Sequence, residues 1–162
     1  MSDIIWPDGY LPGTTDNYVS NEIIVAGLTA AQVWPRLNEP ALWPGYYRNA
    51  ADVVMHGEAG AELRLGSRFR FTTFGFPVEA EVTEHEAPAA GRPGRVAWHA
   101  WVEGDGAQRL DVHHAWLFED LPGDRLRILT QETQIGQPAR ELAASRPNPM
   151  LNAHQEWLEG LA

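Results

Sequence analysis

The sequence contains neither cysteine nor lysine, and both absences restrict its chemistry. Without cysteine the chain forms no disulfide and offers no thiolate ligand to a metal. All 12 basic residues are arginines, 22 acidic residues outnumber them, and no run of basic residues occurs. Phosphate backbones are bound through clustered basic side chains, so we expect no nucleic-acid partner. An anionic membrane surface is disfavoured for the same reason.

Long apolar stretches are missing as well. No apolar run approaches the roughly 20 residues that span a bilayer, so we expect no membrane insertion. The first residues, MSDIIWPDGYLPG, lack the basic start and the long apolar segment of a secretory signal. A cytoplasmic location is therefore the default expectation. With 162 residues, of which 44% are apolar, the chain has the size of one domain with one core.

The start of the chain differs from the rest. Residues 1–18 show no periodicity and contain two prolines and two glycines, which predicts an N-terminal arm. Residues 19–162 are predicted to form a single domain. The arm would pack through Ile4, Ile5 and Trp6, either onto this domain or onto a second subunit. A second copy of the chain, forming a homodimer, is therefore one possible partner.

The remaining pattern predicts strands first and a helix last. A strand at 18–27 precedes two short helices, at 30–37 and from 40 to about 45. Short turns rich in glycine and proline then separate further strands, which is typical of an antiparallel meander. These strands are predicted at 51–56, 66–74, 78–87, 95–103, 109–120 and 125–135. From residue 136 the apolar spacing becomes helical, with a kink or break expected at Pro147 and Pro149.

This order of elements resembles the START-like helix-grip superfamily, and local sequence supports the resemblance. AQVWP at 31–35 and WPGY at 43–46 are similar to its first helix pair, and RVAW at 95–98 to its fifth strand. HAWLF at 114–118 and TQETQIG at 130–136 resemble its last two strands. Within the superfamily, the likeness is to the bacterial polyketide cyclase/dehydrase and lipid-transport branch.

The resemblance implies an α+β fold of defined layout. A curved antiparallel sheet of about seven strands wraps on a long C-terminal helix, with two short helices after the first strand. It also implies an internal cavity for a small hydrophobic molecule, without a cofactor.

Strand alternation predicts which side chains face that cavity. On strands 109–120 and 125–135 the more apolar face is taken as inward, and on strand 95–103 the resemblance favours Trp98. The last helix carries a broad apolar stripe that should lie on the sheet, made of Met150, Leu151, Ala153, His154, Trp157, Leu158 and Leu161. The predicted ligand-contacting residues are Phe71, Trp98, Val112, Trp116, Phe118, Thr130, Gln134 and His154.

His114 and Glu132 are the predicted catalytic pair, because both lie on inward faces of neighbouring strands. Apolar surroundings raise the pKa of a glutamate, and a nearby histidine shares its proton. Such a pair serves as general acid and base in an aldol-type ring closure or a dehydration. Two other interpretations stay open: the pair orients a ligand without chemistry, or it is a structural network only.

His99 and His113 should face each other on the outer side of the sheet. No carboxylate spacing supports a defined metal site there, so the sequence predicts no metal.

Three classes of function fit the sequence. The first is a cofactor-independent cyclase or dehydratase acting on a polyketide-like or aromatic intermediate, which needs polar groups that converge inside the cavity. The second is a non-catalytic carrier or sensor of a hydrophobic metabolite, with a nearly uniform apolar cavity. The third is an interaction module of the heat-shock activator type, with a collapsed cavity and an exposed apolar patch.

Overall fold

The computed structural model describes residues 1–58 and 60–162. Within these residues, seven strands and four helices follow one another in nearly the predicted order. The strands are β1 (Asn17–Ala26), β2 (Ala51–Met55), β3 (Arg68–Thr73), β4 (Phe76–Glu86), β5 (Gly94–Val102), β6 (Leu110–Leu121) and β7 (Arg125–Ile135). The helices are α1 (Ala30–Asn38), a 3-10 helix (Pro40–Gly45), α2 (Gln137–Ala144) and α3 (Pro149–Leu161).

The strands form one curved sheet in the order β1-β7-β6-β5-β4-β3-β2, and every neighbouring pair is antiparallel. The pairing register is irregular in β2 and again in β4, between Val82 and Glu84. Such bulges increase the local bend and twist of a strand. The predicted helix-grip architecture of an antiparallel sheet closed by a C-terminal helix is confirmed.

The helices begin and end where the sequence provides caps. Thr29 and Gln32 form a capping box at the start of α1. The expected long C-terminal helix is divided, because proline at 147 has no N–H for a continuous helix and the chain is not helical at 145–148. Asn148 then caps α3, which has 13 residues. The break was predicted, and the final helix follows it.

Helix α3 crosses the concave face of the sheet. Its Trp157 stacks on Tyr47 and makes edge-on contacts with Trp43 and Trp116, within a core made of inward side chains. Leu151, expected on the buried stripe of this helix, is instead 39% exposed. The stripe is therefore narrower than the sequence pattern indicates.

The first 16 residues cover the convex face of the sheet. Trp6 and Tyr10 lie against His113, with ring centroids 5.5 and 5.8 Å away. The carbonyl of Tyr10 accepts a hydrogen bond from Thr133 Oγ1, at 2.8 Å. His113 is buried beneath these rings although it points away from the concave core. The arm therefore adds a second, smaller packed layer; the boundary between arm and domain stays a prediction.

Among the described residues, no helix is both long and apolar enough to cross a membrane. The expected cytoplasmic location and the homodimer stay predictions.

Candidate functional site

A cavity of about 690 Å³ lies between the concave face of the sheet and helices α2 and α3. Its deep end is formed by buried aromatic and polar side chains. Its outer end is formed by the β3–β4 turn, the β5–β6 loop and α2, where exposed side chains such as Phe76 and Glu141 line it. Ligand cavities in proteins typically have volumes of roughly 300–1,000 Å³, so this one has room for a small organic molecule.

The structure brings most of the predicted site residues to this cavity. The side chains of both predicted catalytic residues and of five predicted ligand-contacting residues line it. They are His114, Glu132, Phe71, Trp98, Val112, Gln134 and His154.

Three predicted ligand-contacting residues, Trp116, Phe118 and Thr130, are not among the lining residues. Strand alternation placed them correctly on the concave side, but helices fill that part of the sheet. Phe118 packs edge-on against Trp34 of α1, and Trp116 packs against Trp157 of α3. These residues pack behind the side chains that line the cavity, so we no longer expect them to contact a ligand.

Several residues from outside the sheet strands line the cavity although the sequence pattern did not predict them. Tyr47 follows the 3-10 helix, and Met150 and Trp157 lie on α3. Met150 and Trp157 belonged to the apolar stripe of the last helix, but a stripe does not say which members face a cavity and which fill the core. Phe74 and Phe76, at the β3–β4 turn, gave no signal beyond being aromatic.

His114 and Glu132 form the polar centre of the deep end. They are direct partners in the β6–β7 register, and His114 Nδ1 lies 3.2 Å from Glu132 Oε1. Both side chains are buried, with exposed fractions of 3% and 6%. The other nitrogen of the imidazole, Nε2, lies 2.8 Å from Thr130 Oγ1.

The hydrogen bonds of Thr130 determine the tautomer of His114. The Thr130 hydroxyl donates its only proton to the Ala115 carbonyl, at 3.1 Å. Its oxygen must therefore accept a proton from His114 Nε2, which leaves Nδ1 of a neutral imidazole with a lone pair. Since a lone pair and a carboxylate repel each other, the 3.2 Å contact of a neutral imidazole is favourable when Glu132 carries a proton on Oε1.

This pair belongs to a longer directed chain of hydrogen bonds. Gln134 donates to Glu132 Oε2 at 2.5 Å, and Asn17 donates to Gln134 at 2.9 Å. Asn17 in turn accepts from Asn148, the residue that caps α3, at 2.8 Å. The chain therefore connects the start of the last helix, through β1 and β7, to the acid–base pair. Fixed partners on both sides hold the carboxyl group in one orientation.

The buried environment agrees with this protonation state. Burial raises the pKa of Glu132 to about 8, against a smaller opposing effect of the Gln134 hydrogen bond. Burial lowers the pKa of His114 well below its usual value, and the nearby His154 and His113 lower it further. Burial therefore favours the neutral form of both groups, a carboxylic acid able to give a proton from oxygen beside an imidazole able to take one on nitrogen.

His154 approaches the same pair from α3. Burial lowers its pKa to about 3, so its imidazole is neutral. Its ring stacks on that of His114 with centroids 4.6 Å apart, and its Nε2 lies 3.9 Å from Glu132 Oε1. Its Nδ1 has no hydrogen-bond partner among the described residues.

These three side chains each offer one atom of the kind that binds metals, and the three atoms lie within 4.8 Å of one another. The two ring planes differ by only 13°. A metal lies in the plane of each imidazole that binds it, so two nearly parallel stacked rings cannot share one ion without rotating. A metal would also have to replace the proton between Glu132 and His114. We assign no ion to this cluster.

The convex-face histidines also lie where the register predicted. His99 and His113 are direct partners across β5 and β6. Burial under the arm lowers the pKa of His113 to about 4, and the charge of His99 contributes further.

No protein-family model matches the chain, and no curated protein matches it. Solved structures do. The di-domain ARO/CYC BexL from the BE-7585A biosynthetic pathway has 13% identity and a TM-score of 0.61 over 90% of this chain and 45% of its own. A norcoclaurine synthase from Thalictrum flavum, also 13% identical, has a TM-score of 0.59 over 90% of this chain and 91% of its own. These two likenesses show the fold alone.

A further solved structure is a much stronger match. Hypothetical protein jhp0584 from Helicobacter pylori is 50% identical in sequence, with a TM-score of 0.95. The match covers 99% of this chain and 95% of that protein. Identity at this level, over essentially both chains, shows common ancestry as well as a common fold. The chain therefore has the helix-grip fold and belongs to the same family as this Helicobacter pylori protein.

Proposed function

We propose that this protein binds a small, largely apolar molecule with an aromatic or polyketide-like body and acts on it as a cofactor-independent cyclase or dehydratase. The observation that carries the proposal is the buried 3.2 Å contact between Glu132 Oε1 and His114 Nδ1 in the wall of a 690 Å³ cavity, where burial favours the neutral form of both groups. On this proposal the protein falls in the polyketide cyclase/dehydrase and lipid-transport branch of the START-like superfamily.

The pair supplies both halves of such a reaction. Glu132 would donate its proton to a substrate oxygen, and His114 would accept one from a carbon next to a carbonyl group. In a dehydration the protonated hydroxyl leaves as water; in an aldol-type closure the new carbon–carbon bond forms and the carbonyl oxygen becomes a hydroxyl. The proton on His114 then returns to Glu132 across their 3.2 Å contact, which restores the starting state.

The rest of the cavity suits a flat substrate. Trp98 and Trp157 line it beside the acid–base pair, and Tyr47 stacks on Trp157. Aromatic contacts contribute about 0.5–1.5 kcal/mol per pair beyond burial. Two structurally similar proteins support catalysis on this fold: one is an ARO/CYC of a biosynthetic pathway, and the other is a norcoclaurine synthase bound to a transition-state analogue.

A non-catalytic carrier is the second candidate. Two observations favour it. The buried polar groups are confined to one end of the cavity, and Glu132 and His114 already have hydrogen-bond partners within the protein, Gln134 and Thr130. The interaction-module alternative predicted a collapsed cavity, and an open one of this size argues against it.

Binding is tested by native mass spectrometry of the protein purified without denaturation. We expect a co-purifying molecule that disappears on denaturation and is lost in Val112→Trp, which fills the cavity. Val54→Trp is the matched control, because Val54 is 41% exposed and is not among the lining residues. A co-purifying molecule retained equally by both variants would place the ligand elsewhere.

Catalysis is tested with the co-purified molecule and Glu132→Gln. For an enzyme, this variant should keep binding and lose turnover by about 100- to 10,000-fold, the usual contribution of a positioned acid. For a carrier, no turnover exists and affinity should change by at most about 1–3 kcal/mol. Full turnover in the variant would remove Glu132 from the mechanism.

A further inference from the structure

We propose that His154 contacts the substrate and donates a hydrogen bond from Nε2 to a carbonyl oxygen at the deep end of the cavity. Together with Glu132 it would hold that oxygen between two donors. The inference rests on the proposed function and deepens it, because it names the group by which the cavity recognises its ligand: a ketone or aldehyde attached to the aromatic body.

The observation behind it is a buried polar side chain that has no partner within the protein. His154 lines the cavity and is only 3% exposed. Its Nδ1 has no hydrogen-bond partner among the described residues, and its Nε2 lies 3.9 Å from Glu132 Oε1, beyond hydrogen-bond distance. Buried polar groups are nearly always hydrogen-bonded, because leaving them unpaired destabilises the fold. An apolar ring would fill this place without that cost, so the imidazole indicates a partner that the ligand brings.

The two ring nitrogens of His154 differ in their surroundings. Burial lowers the pKa of His154 to about 3, so at pH 7 the imidazole has one N–H and one lone pair. Nδ1, beside the attachment of the ring, is buried without an acceptor. Buried N–H groups without an acceptor are rarer than acceptors without a donor. The proton is therefore favoured on Nε2, at the far side of the ring.

This tautomer brings two donors close to one point. Protonated Glu132 carries its O–H on Oε1, which lies 3.9 Å from His154 Nε2. An oxygen placed about 2.8 Å from both atoms would see them about 90° apart, within the broad range of directions from which a carbonyl oxygen accepts hydrogen bonds. Only one of the two donors is an imidazole, so the stacking of His154 on His114 does not constrain this oxygen as it would a metal ion shared by both rings.

The acid–base pair is preserved in this arrangement. Glu132 turns its proton from His114 to the ligand oxygen, and His114 Nδ1 is then free to take a proton from the attacking carbon. In an aldol-type closure that carbon bonds to the carbonyl carbon, the π electron pair moves to the oxygen, and Glu132 protonates it. The proton on His114 then returns to Glu132. His154 keeps its own proton and stabilises the negative charge that develops on the oxygen.

The helix that carries His154 is fixed to the sheet before any ligand binds. Asn21 of β1 donates to the carbonyl of Leu151, at 2.9 Å, and to Gln155 Oε1, at 3.2 Å. These two residues flank His154 on α3. The hydrogen-bond chain from the start of α3 connects the same helix to Glu132. Donors that are held in place in advance stabilise a developing charge without reorganisation.

The test compares three compounds with one carbon skeleton: acetylnaphthalene, the naphthylethanol formed by its reduction, and ethylnaphthalene. Isothermal titration calorimetry with naphthylethanol, and displacement of it by the other two, gives the affinities. We expect the ketone to bind about tenfold tighter than ethylnaphthalene, as for two neutral hydrogen bonds. In His154→Phe, which keeps a ring but has no N–H, this ratio should fall by about threefold or more.

Two matched variants locate the donor. His154→Gln places an amide N–H near the position of Nε2 and should restore most of the ketone preference. Gln108→Leu removes an amide from the exposed outer end of the cavity and should leave the preference unchanged. A preference that falls in Gln108→Leu and not in His154→Phe would place the carbonyl at the outer end and overturn the inference.

Stability separates substrate contact from a structural role. Because neither nitrogen of His154 is hydrogen-bonded within the described part of the chain, His154→Phe should unfold at the same urea concentration as wild type or at a higher one. A structural histidine predicts the opposite: a less stable variant that binds all three compounds more weakly by the same factor. That result would overturn the inference.

Infrared spectra of bound, ¹³C-labelled acetylnaphthalene provide a test that needs no variant. Hydrogen bonds weaken the C=O bond, so the carbonyl stretch should lie at lower frequency than in an apolar solvent, and in His154→Phe it should move part of the way back. An unshifted stretch in wild type, or equal affinity for the ketone and ethylnaphthalene, would overturn the inference and leave the apolar cavity standing. If none of the three compounds binds, the proposed function fails together with the inference.

Discussion

Replacing Glu132 by glutamine exchanges a carboxyl group for an uncharged amide of nearly the same shape. The amide N–H still donates to His114 Nδ1, and the amide oxygen still accepts from Gln134, so the hydrogen-bond chain survives. What the variant loses is the ability to ionise. The comparison therefore isolates the effect of the buried proton on stability.

The sign of the effect follows from the two protonation equilibria. The pKa of Glu132 is about 8 in the folded protein, raised by burial from an ordinary value of 4.5. Between these values the folded state binds more protons than the unfolded state. Its contribution to stability is thus fully present below about pH 4.5 and is lost as the pH rises through about 8. Glutamine has no such dependence.

The magnitude is large enough to measure. One proton held preferentially by the folded state changes the free energy of unfolding by about 1.4 kcal/mol per pH unit. From about pH 5 to about pH 7.5, wild type should lose about 3 kcal/mol relative to Glu132→Gln. The other titrating groups are common to both proteins and cancel in the difference.

Urea unfolding at a series of pH values measures this difference directly. Glu119→Gln is the matched control on the convex face. Burial acts to raise the pKa of Glu119, but the hydrogen bonds from Ser2 and the charge of Arg127 outweigh it and lower the pKa. That variant should therefore leave the dependence between about pH 5 and pH 7.5 unchanged. A difference between wild type and Glu132→Gln that stays flat across this range would mean that Glu132 is ionised, and the site chemistry would be wrong.

Three further predictions concern the cavity wall, the arm and metals. Trp98→Ala should lower the free energy of unfolding by about 3–5 kcal/mol, because it empties a buried aromatic site. Urea titration measures this loss, and a loss under about 1 kcal/mol would contradict the observed packing. Trp6→Ala should raise the pKa of His113 from about 4 towards its ordinary value, because the Trp6 ring covers the His113 imidazole. NMR titration of His113 measures this shift, and an unchanged pKa would show that Trp6 does not shield the imidazole. Dialysis against EDTA should leave the calorimetric affinity for naphthylethanol unchanged, and a tenfold loss would show that a metal takes part.

Strand alternation predicted the concave face of the sheet well. In β6 and β7 the more apolar residues of each strand face inward, and Trp98, His114 and Glu132 all line the cavity as expected. The pairing of His99 with His113 also followed from sequence, because a short loop between β5 and β6 leaves little freedom in the register. Side chains in a strand alternate between the two faces of the sheet, so the alternation of apolar and polar residues in the sequence indicates which of them face inward.

The contribution of the helices was harder to predict. An apolar stripe shows that α3 packs on the sheet, but not that Trp157 lines the cavity while Leu151 stays exposed. The hydrogen-bond chain was missed for a related reason. Asn17 and Asn148 meet only because β1 pairs with β7 and α3 begins beside it, and no local spacing relates two residues so far apart in sequence.

The proposal that this cavity is the ligand site is tested most directly by the indole N–H signals of the tryptophans in an NMR titration with naphthylethanol. Trp98 and Trp157 line the cavity, whereas Trp101 stacks on His99 on the convex side and Trp6 lies in the arm. Tryptophan-to-phenylalanine variants assign each signal. We expect the signals of Trp98 and Trp157 to move together with one dissociation constant, while those of Trp6 and Trp101 stay in place. Shifts confined to Trp6 and Trp101, or none at saturating ligand, would contradict it.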